Sequence, residues 1–300
     1  MASYYAKNIL LILSSATILP LLVMVCATAA PSHPATGLST ELIEIQTRPE
    51  VGLKIFLIKP NNPSAVIVML EGGPGRLPIS GVSGTSTLGR GKGFLVRSRD
   101  DFARHGLMVA LIDAPSDRTL QPMTPDFRIS REYAQDLKAV VSYLKRVTNL
   151  PVWLVGMSLG SFSASNGAIN IRKGIHGLVL ISSPTRSAPK WQVYDSHPNG
   201  LLSMDLYKIM VPTLIVVHKE DECPHTPASG AEKIRRALVG SPRVEVVSFE
   251  GGSRPRINPR SPAPPGCQPL TQHGYFGIED QAISAISGFI KSCSRKKKDL

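Results

Sequence analysis

The residues Val152-Trp153-Leu154-Val155-Gly156-Met157-Ser158-Leu159-Gly160 place a serine between two glycines, directly behind an apolar run. The run predicts a buried strand, and the small residues over 161–171 predict a helix. A serine at such a junction requires a sharp turn, and the flanking glycines let the chain turn without steric clash. The turn lifts the Ser158 hydroxyl out of the sheet, where the helix N-terminus favours developing negative charge. This stretch therefore predicts that Ser158 is a nucleophile.

Apolar runs and helical patterns alternate on both sides of this stretch. Buried strands are predicted at about 65–70, 107–112, 177–181, 213–217 and 244–249. Helices are predicted at about 94–105, 132–146, 230–238 and 278–290. Two earlier strands, at 42–45 and 53–58, are expected to pair around a turn near Pro49. The alternation implies a mostly parallel sheet with helices on both faces, whose ligands bind beyond the carboxyl ends of the strands.

The N-terminal segment has the pattern of a secretory signal peptide. Lys7 precedes an almost wholly apolar run over 9–25, and small residues at 27–30 offer a cleavage site. An uncleaved membrane anchor is the alternative, because the run is long for a signal peptide. We predict a signal peptide over 1–30, one domain over 31–294 and a basic tail over 295–300. The protein is expected to be secreted or periplasmic.

The formal net charge of +12 favours anionic surroundings, so weak association with an anionic membrane or cell wall is expected. The basic residues are not interleaved with aromatic ones, as they are in proteins that bind single-stranded nucleic acid, and no nucleic-acid partner is predicted. Arg254, Arg256 and Arg260 lie among prolines before His273. They form either a rim that favours an anionic substrate or a simple exposed basic loop.

A serine nucleophile needs a neighbouring base and an acid that orients that base. His273 lies in a glycine-flanked loop before the last predicted helix, which suits the base. The acid is expected after the strand at 213–217, where three acids stand together: Glu220, Asp221 and Glu222. Their positions in the sequence do not show which of the three acids orients the histidine. We favour Asp221, the only aspartate, ahead of Glu222 and then Glu220.

The negative oxygen that forms during acyl transfer needs two backbone N–H donors. One is expected from Leu159, immediately after the serine. The other is expected from Gly73, in the loop Glu71-Gly72-Gly73-Pro74-Gly75, because glycine lets the backbone approach a substrate closely. A plain turn is the alternative for this loop. Neither a metal nor another cofactor is predicted, and the cysteine spacing matches no zinc motif.

The expected contact between Asp221 and His273 also predicts how the cysteines pair. Cys223 lies two residues after the favoured acid, and Cys267 lies six residues before His273. If Asp221 and His273 touch, the two cysteines lie on neighbouring loops, within reach of a disulfide. An oxidising compartment permits that bond. We predict a Cys223–Cys267 disulfide and a free thiol at Cys293.

With these residues in place, the chain over about 40–291 resembles the α/β-hydrolase superfamily. The stretch Gly156–Gly160 resembles its nucleophile elbow, and Glu71–Gly75 resembles the His-Gly-Gly-Pro-Gly oxyanion loop of proline iminopeptidase-like hydrolases. Segments that resemble poorly characterised secreted bacterial members lie at 94–99, 113–117, 217–223 and 273–279. That resemblance aligns the acid with Asp221. It also shows a departure, because Glu71 stands where many relatives have histidine.

The Glu71 carboxylate would oppose a developing negative charge unless it is turned away or paired, with Arg76 as the expected partner. The resemblance implies an α/β-hydrolase fold without a large cap domain and a secreted serine hydrolase of a carboxylic ester or related acyl bond. A small-molecule acyl substrate is expected. A peptidase of the proline iminopeptidase type is the second expectation, and a non-catalytic binding protein of the same fold is the third.

Overall fold

The apolar runs predicted as buried strands lie side by side in one eight-stranded sheet of the computed structural model. The structure describes residues 37–77, 79–80, 87–89, 91–171, 173–187 and 196–295. Its strands are β1 (Leu38–Arg48), β2 (Val51–Pro60), β3 (Ala65–Leu70), β4 (Ile79–Ser80), β5 (Thr87–Leu88), β6 (Leu107–Ile112), β7 (Val152–Met157), β8 (Ile175–Ile181), β9 (Thr213–His218) and β10 (Val244–Phe249). The short strands β4 and β5 pair separately.

The strand order in the large sheet is β1-β2-β6-β3-β7-β8-β9-β10. Strands β1 and β2 form the antiparallel hairpin expected around Pro49, and β2 also pairs antiparallel with β6. All other neighbours in this sheet are parallel. The prediction of a mostly parallel sheet is therefore confirmed. The carboxyl ends of β3 and β6–β10 lie along one side of the sheet, which we call the carboxyl edge.

Helices cover both faces of the sheet, as predicted. They are α1 (Phe94–Arg97), α2 (Arg99–Arg104), α3 (Pro125–Arg128), α4 (Arg131–Val147), α5 (Gly160–Asn170), α6 (Gly230–Ala237) and α7 (Glu279–Arg295). One face carries α4, α5 and α6, whose buried side chains include Leu137, Phe162 and Ile234. The other face carries α1, α2 and α7. Alternate residues of each central strand supply the two cores, so the sheet is buried on both sides.

The predicted signal peptide and the tail beyond Arg295 lie outside the described residues, so the predicted domain limits stay predictions. In the described ranges, no helix combines the length and the apolar character that crossing a membrane requires. Between α5 and β9, the described residues hold β8 and two short 3₁₀ turns, Gly200–Ser203 and Leu206–Lys208. Nothing described in that interval forms a helical cap, in line with the expectation from sequence.

Two glycines allow the chain to turn from β7 into α5. A Cβ atom on Gly156 would lie 2.4 Å from the Gly160 carbonyl oxygen, and one on Gly160 would lie 1.8 Å from the Leu70 carbonyl oxygen. Both distances are far below van der Waals contact. The start of α5 therefore rests directly on the ends of β7 and β3, and any side chain at these positions would push the helix away.

We expect Gly160→Ala to lower the free energy of unfolding by about 1–3 kcal/mol or more, because its Cβ atom meets rigid backbone. Gly288→Ala is the matched control. Gly288 is exposed on α7 with no atom within 4 Å of an added Cβ, so alanine should stabilise the helix by up to about 1 kcal/mol. Denaturant titration of both variants measures the difference. A Gly160→Ala variant as stable as the wild type would contradict the packing described here.

Candidate active site

Ser158 occupies the turn between β7 and α5 in a strained backbone conformation. Its φ of 51° lies in the left-handed region, which residues other than glycine rarely adopt. The Ser158 N–H donates to the carbonyl of Ile181 at the end of β8, at 2.9 Å. Strain of this kind persists only where the surroundings hold it, and it is concentrated at functional sites. The turn thus holds Ser158, partly exposed, at the carboxyl edge.

Asp221 and His273 form a buried hydrogen-bonded pair. Oδ2 of Asp221 lies 2.9 Å from Nδ1 of His273, and both side chains are almost fully buried. The other carboxylate oxygen accepts the Cys223 N–H at 2.9 Å, and the Thr226 hydroxyl donates to Oδ2 at 2.8 Å. A carboxylate held by these donors places the imidazole proton on Nδ1 and leaves Nε2 as the basic nitrogen.

The two glutamates beside Asp221 point elsewhere. Glu220 Oε2 accepts the Gly251 N–H at 2.7 Å, and Glu222 is exposed. His218 is also engaged, since its Nδ1 accepts the Glu220 N–H at 3.1 Å and its Nε2 donates to the Gly251 carbonyl at 3.2 Å. Burial lowers the pKa of His218 and so favours the neutral ring. Of the three candidate acids, Asp221 is therefore the one that contacts His273.

The end of β8 ties the serine turn to the histidine loop. Ile181 accepts the Ser158 N–H, and the next residue, Ser182, donates its hydroxyl to the His273 carbonyl at 3.1 Å. Ser182 itself has a φ of 42°, and its hydroxyl also lies 3.3 Å from the hydroxyl of the buried Tyr275. Ser158 and His273 are thus anchored through adjacent residues at the end of β8. Ser182 and Thr226 carried no motif by which the sequence could have identified them, and Tyr275 lay in the 273–279 segment without a predicted role.

The loop after β3 lies against the serine turn. A Cβ atom on Gly72 would lie 3.0 Å from the Ser158 Cβ atom and 3.6 Å from the Leu159 nitrogen. Gly73 has a φ of 55°, a conformation that favours glycine. Among the described residues, the N–H groups of Gly73 and Leu159 have no protein acceptor. Both predicted oxyanion donors are therefore available beside Ser158, although their role stays a prediction.

Glu71 is not paired with Arg76, so that expectation is wrong. The Glu71 carboxylate accepts the Gly72 N–H at 3.0 Å and the Val96 N–H in α1 at 3.2 Å. Arg76 donates instead to the carbonyl of Thr119. Burial raises the pKa of the Glu71 carboxyl, while backbone hydrogen bonds and nearby positive charge act in the opposite direction. The side chain is thus held by backbone rather than by a surface cation.

Arg128 lies directly behind the same loop, with only 1% of its surface exposed. Its guanidinium donates to the carbonyls of Glu71 at 3.2 Å and Gly73 at 3.1 Å, and to the carbonyl of Met123 at 2.9 Å. The Ser163 hydroxyl accepts a further hydrogen bond at 3.0 Å. Arg128 carried no signal in the sequence, because α3 is too short to show a helical pattern.

The predicted disulfide is present. Cys223 and Cys267 are bonded, with their Cα atoms 4.4 Å apart, and Cys293 is free. The bond joins the loop of Asp221 to the segment that precedes His273. Asp221, Cys223 and His273 offer three potential metal-ligand atoms within 4.8 Å of one another. The Cys223 sulfur is consumed by the disulfide, so it is not available as a thiolate ligand.

We expect the double variant Cys223→Ser/Cys267→Ser to be less stable by up to about 4 kcal/mol, the chain-entropy value for a loop of this length. Cys293→Ser should unfold as the wild type does, since Cys293 forms no disulfide. Denaturant titration without reductant gives all three free energies. Equal stabilities, with the wild-type bond verified by peptide mapping, would show that the disulfide does not brace these loops.

Solved structures provide the comparisons, since no protein-family model and no curated protein matches this chain. An esterase of Pyrococcus furiosus, Pf2001, is similar over 86% of this chain and 92% of its own, with 17% identity and a TM-score of 0.59. A dienelactone hydrolase from Anabaena variabilis is similar over 85% of this chain and 96% of its own, with 16% identity and a TM-score of 0.54. Est1E from Butyrivibrio proteoclasticus has 15% identity, a TM-score of 0.53, and coverages of 84% and 98%. At such low identity the likeness shows a shared fold.

Proposed function

On the α/β-hydrolase fold that this chain has, we propose that the protein hydrolyses carboxylic esters with Ser158 as nucleophile. His273 is the general base, and Asp221 orients it. The observation that carries the proposal is the buried Asp221–His273 hydrogen bond of 2.9 Å, tied through β8 to the turn of Ser158. A buried acid–histidine pair beside a strained serine is the arrangement that activates a hydroxyl.

In the proposed reaction, Nε2 of His273 takes the proton of the Ser158 hydroxyl as its oxygen attacks the ester carbonyl. The N–H groups of Gly73 and Leu159 then bind the negative oxygen of the tetrahedral intermediate. His273 returns the proton to the leaving alcohol, and an acyl-serine remains. Water, deprotonated by His273, attacks this ester, and collapse of the second intermediate releases the acid and restores Ser158.

Esters are favoured over the alternatives on specific grounds. Of the compared structures, that of Pf2001 is named an esterase, and that from Anabaena variabilis is named a dienelactone hydrolase. Only the Gly-Gly-Pro-Gly sequence of the loop favours a peptidase. A non-catalytic binding protein was suggested by Glu71, but the Glu71 carboxylate is occupied by the N–H groups of Gly72 and Val96. That engagement turns the carboxylate toward backbone N–H groups and so weakens the argument for an inactive site.

Secretion or a periplasmic location is part of the proposal. The Cys223–Cys267 disulfide supports it, because such bonds persist in oxidising compartments and are rare in the cytosol. The signal peptide over 1–30 lies outside the described residues and is proposed from sequence alone.

The triad is tested by chemical labelling and two matched substitutions. A fluorophosphonate should form an adduct on Ser158, located by mass spectrometry, and Asp221→Asn should lower kcat by about 10⁴-fold, as in a serine protease. Glu222→Gln should change kcat by less than about tenfold, because Glu222 is exposed and does not contact His273. Folding of each variant is checked by circular dichroism.

Absence of an adduct on Ser158 in folded wild-type protein would reject the serine mechanism. Similar losses of kcat in the two acid variants would show that Asp221 is not the orienting acid.

The basic loop before His273 supports an anionic substrate. Arg254, Arg256 and Arg260 are all exposed, and the guanidinium of Arg256 lies over the Phe276 ring at 5.1 Å. The loop is held in place, since the Arg256 N–H donates to the Leu270 carbonyl at 2.8 Å and the Cys267 disulfide follows. We therefore propose a small acyl substrate that carries negative charge. The same charges support weak association with an anionic membrane or cell wall.

We expect the triple variant Arg254→Gln/Arg256→Gln/Arg260→Gln to raise KM for an aryl hemisuccinate by about 3- to 100-fold, at about 0.2–1 kcal/mol for each exposed charge. KM for the neutral aryl butyrate should stay within about twofold. Lys138→Gln/Arg146→Gln/Lys173→Gln, which removes three exposed charges elsewhere, is the control. The effect should shrink in high salt. An equal change of KM for both esters would contradict recognition of negative charge.

A further inference from the structure

We propose that Arg128 and Glu71 are positioning residues that together fix the Gly73 N–H in the oxyanion hole. This assignment rests on the proposed function. It concerns three successive peptide groups of the loop after β3, whose hydrogen bonds leave one N–H free.

The two outer peptide groups are held by the Arg128 guanidinium. The carbonyl of Glu71 accepts from Nη1 at 3.2 Å, while the N–H of the same peptide, that of Gly72, donates to the Glu71 side chain at 3.0 Å. On the other side, the carbonyl of Gly73 accepts from Nη2 at 3.1 Å. Its peptide partner is Pro74, which has no N–H. Neither outer peptide can rotate without breaking a hydrogen bond to Arg128.

The middle peptide, between Gly72 and Gly73, carries the donor. Its carbonyl accepts the Gly75 N–H at 3.1 Å. In a trans peptide the N–H points opposite to the carbonyl, so the Gly73 N–H is directed away from Gly75. Of the described N–H groups over 72–75, it is the one without a protein acceptor. The hydrogen bonds of the loop therefore select a single donor.

Packing alone does not fix that donor. Gly73 has a φ of 55°, and no atom lies within 4 Å of the place where a Cβ would stand. Glycine is the most flexible residue, so an unrestrained loop of this sequence would sample several orientations of the peptide. A preorganised donor is what gives an oxyanion hole its effect, because no reorganisation is needed during the reaction. The side chains of Arg128 and Glu71 supply the missing restraint.

The charges of the pair also match the chemistry. A carboxylate beside the oxyanion hole would oppose the developing negative charge. Burial raises the pKa of the Glu71 carboxyl, and the positive charges of Arg97 and of the buried Arg128 act against that shift. Burying a guanidinium is costly unless its N–H groups find acceptors. Two of its acceptors are carbonyls of the loop that carries Gly73. The buried charge of Arg128 is thus used to order this loop.

The test compares Glu71→Gln and Arg128→Lys with two controls from the neighbouring exposed pair, Glu132→Gln and Arg131→Lys. Glutamine offers one acceptor oxygen where the carboxylate binds two N–H groups, and lysine lacks the fork that reaches two carbonyls. For aryl butyrate hydrolysis, kcat should fall by about 10- to 100-fold in each test variant, below the effect of losing a donor outright. KM should stay within about twofold.

The readout specific to positioning is binding of an aryl boronic acid, whose serine adduct resembles the tetrahedral intermediate. Its inhibition constant should rise by the same factor as kcat falls, and it should be unchanged in both controls. If Arg128→Lys does not fold, the kcat and the boronic acid inhibition constant of Glu71→Gln test the inference alone. Folded variants that keep wild-type kcat and boronic acid affinity would overturn the inference.

A fall in kcat without a matching loss of boronic acid affinity would overturn it as well, because the defect would then lie outside the oxyanion hole. Failure of the proposed function has a different signature, since wild-type protein would then form no fluorophosphonate adduct on Ser158.

Discussion

The contact between the first residue of α5 and the end of β3 is the constraint on which the site depends. A side chain on Gly160 would lie 1.8 Å from the Leu70 carbonyl oxygen, so the helix begins as close to the sheet as backbone permits. Ser158, two residues before Gly160, has a strained φ of 51°. The loop after β3 lies over the serine, with Gly72 in near contact with the Ser158 Cβ atom. The proposed nucleophile and the proposed oxyanion donors thus meet at one packing contact.

The hydrogen-bonded pair of Asp221 and His273 is held by a second set of constraints, from residues at and after the ends of β8 and β9. Ser182 fixes the backbone of His273, while Thr226 and the Cys223 N–H fix the carboxylate of Asp221. The disulfide also joins the loop of Asp221 to the segment that precedes His273. Because the restraining groups are mostly backbone and hydroxyl groups, they order the pair without adding charge that would compete for the imidazole proton.

In the sequence, the carboxylate of Glu71 is expected to oppose a negative charge that develops near Ser158, but in the structure it helps to order the loop after β3. The carboxylate binds two backbone N–H groups, and the buried guanidinium of Arg128 binds two carbonyls of the same loop. Arg76, the nearest cation in sequence, is directed to Thr119 instead. The carboxylate is bound by backbone of the loop and of α1, while α3 supplies Arg128 to the loop carbonyls from more than fifty residues away.

The sequence by itself determined the strands of the large sheet, the longer helices, the serine turn and the disulfide, because hydrophobic periodicity and the steric needs of Gly156 and Gly160 act over a few residues. It reached the disulfide only through the assumption that Asp221 contacts His273. Strand order, the choice of Asp221 over its neighbouring glutamates and the partners of Glu71 were decided by the tertiary structure. Each depends on contacts between residues far apart in the chain, such as the 52 residues between Asp221 and His273, and no local pattern encodes which distant groups the packed sheet brings together.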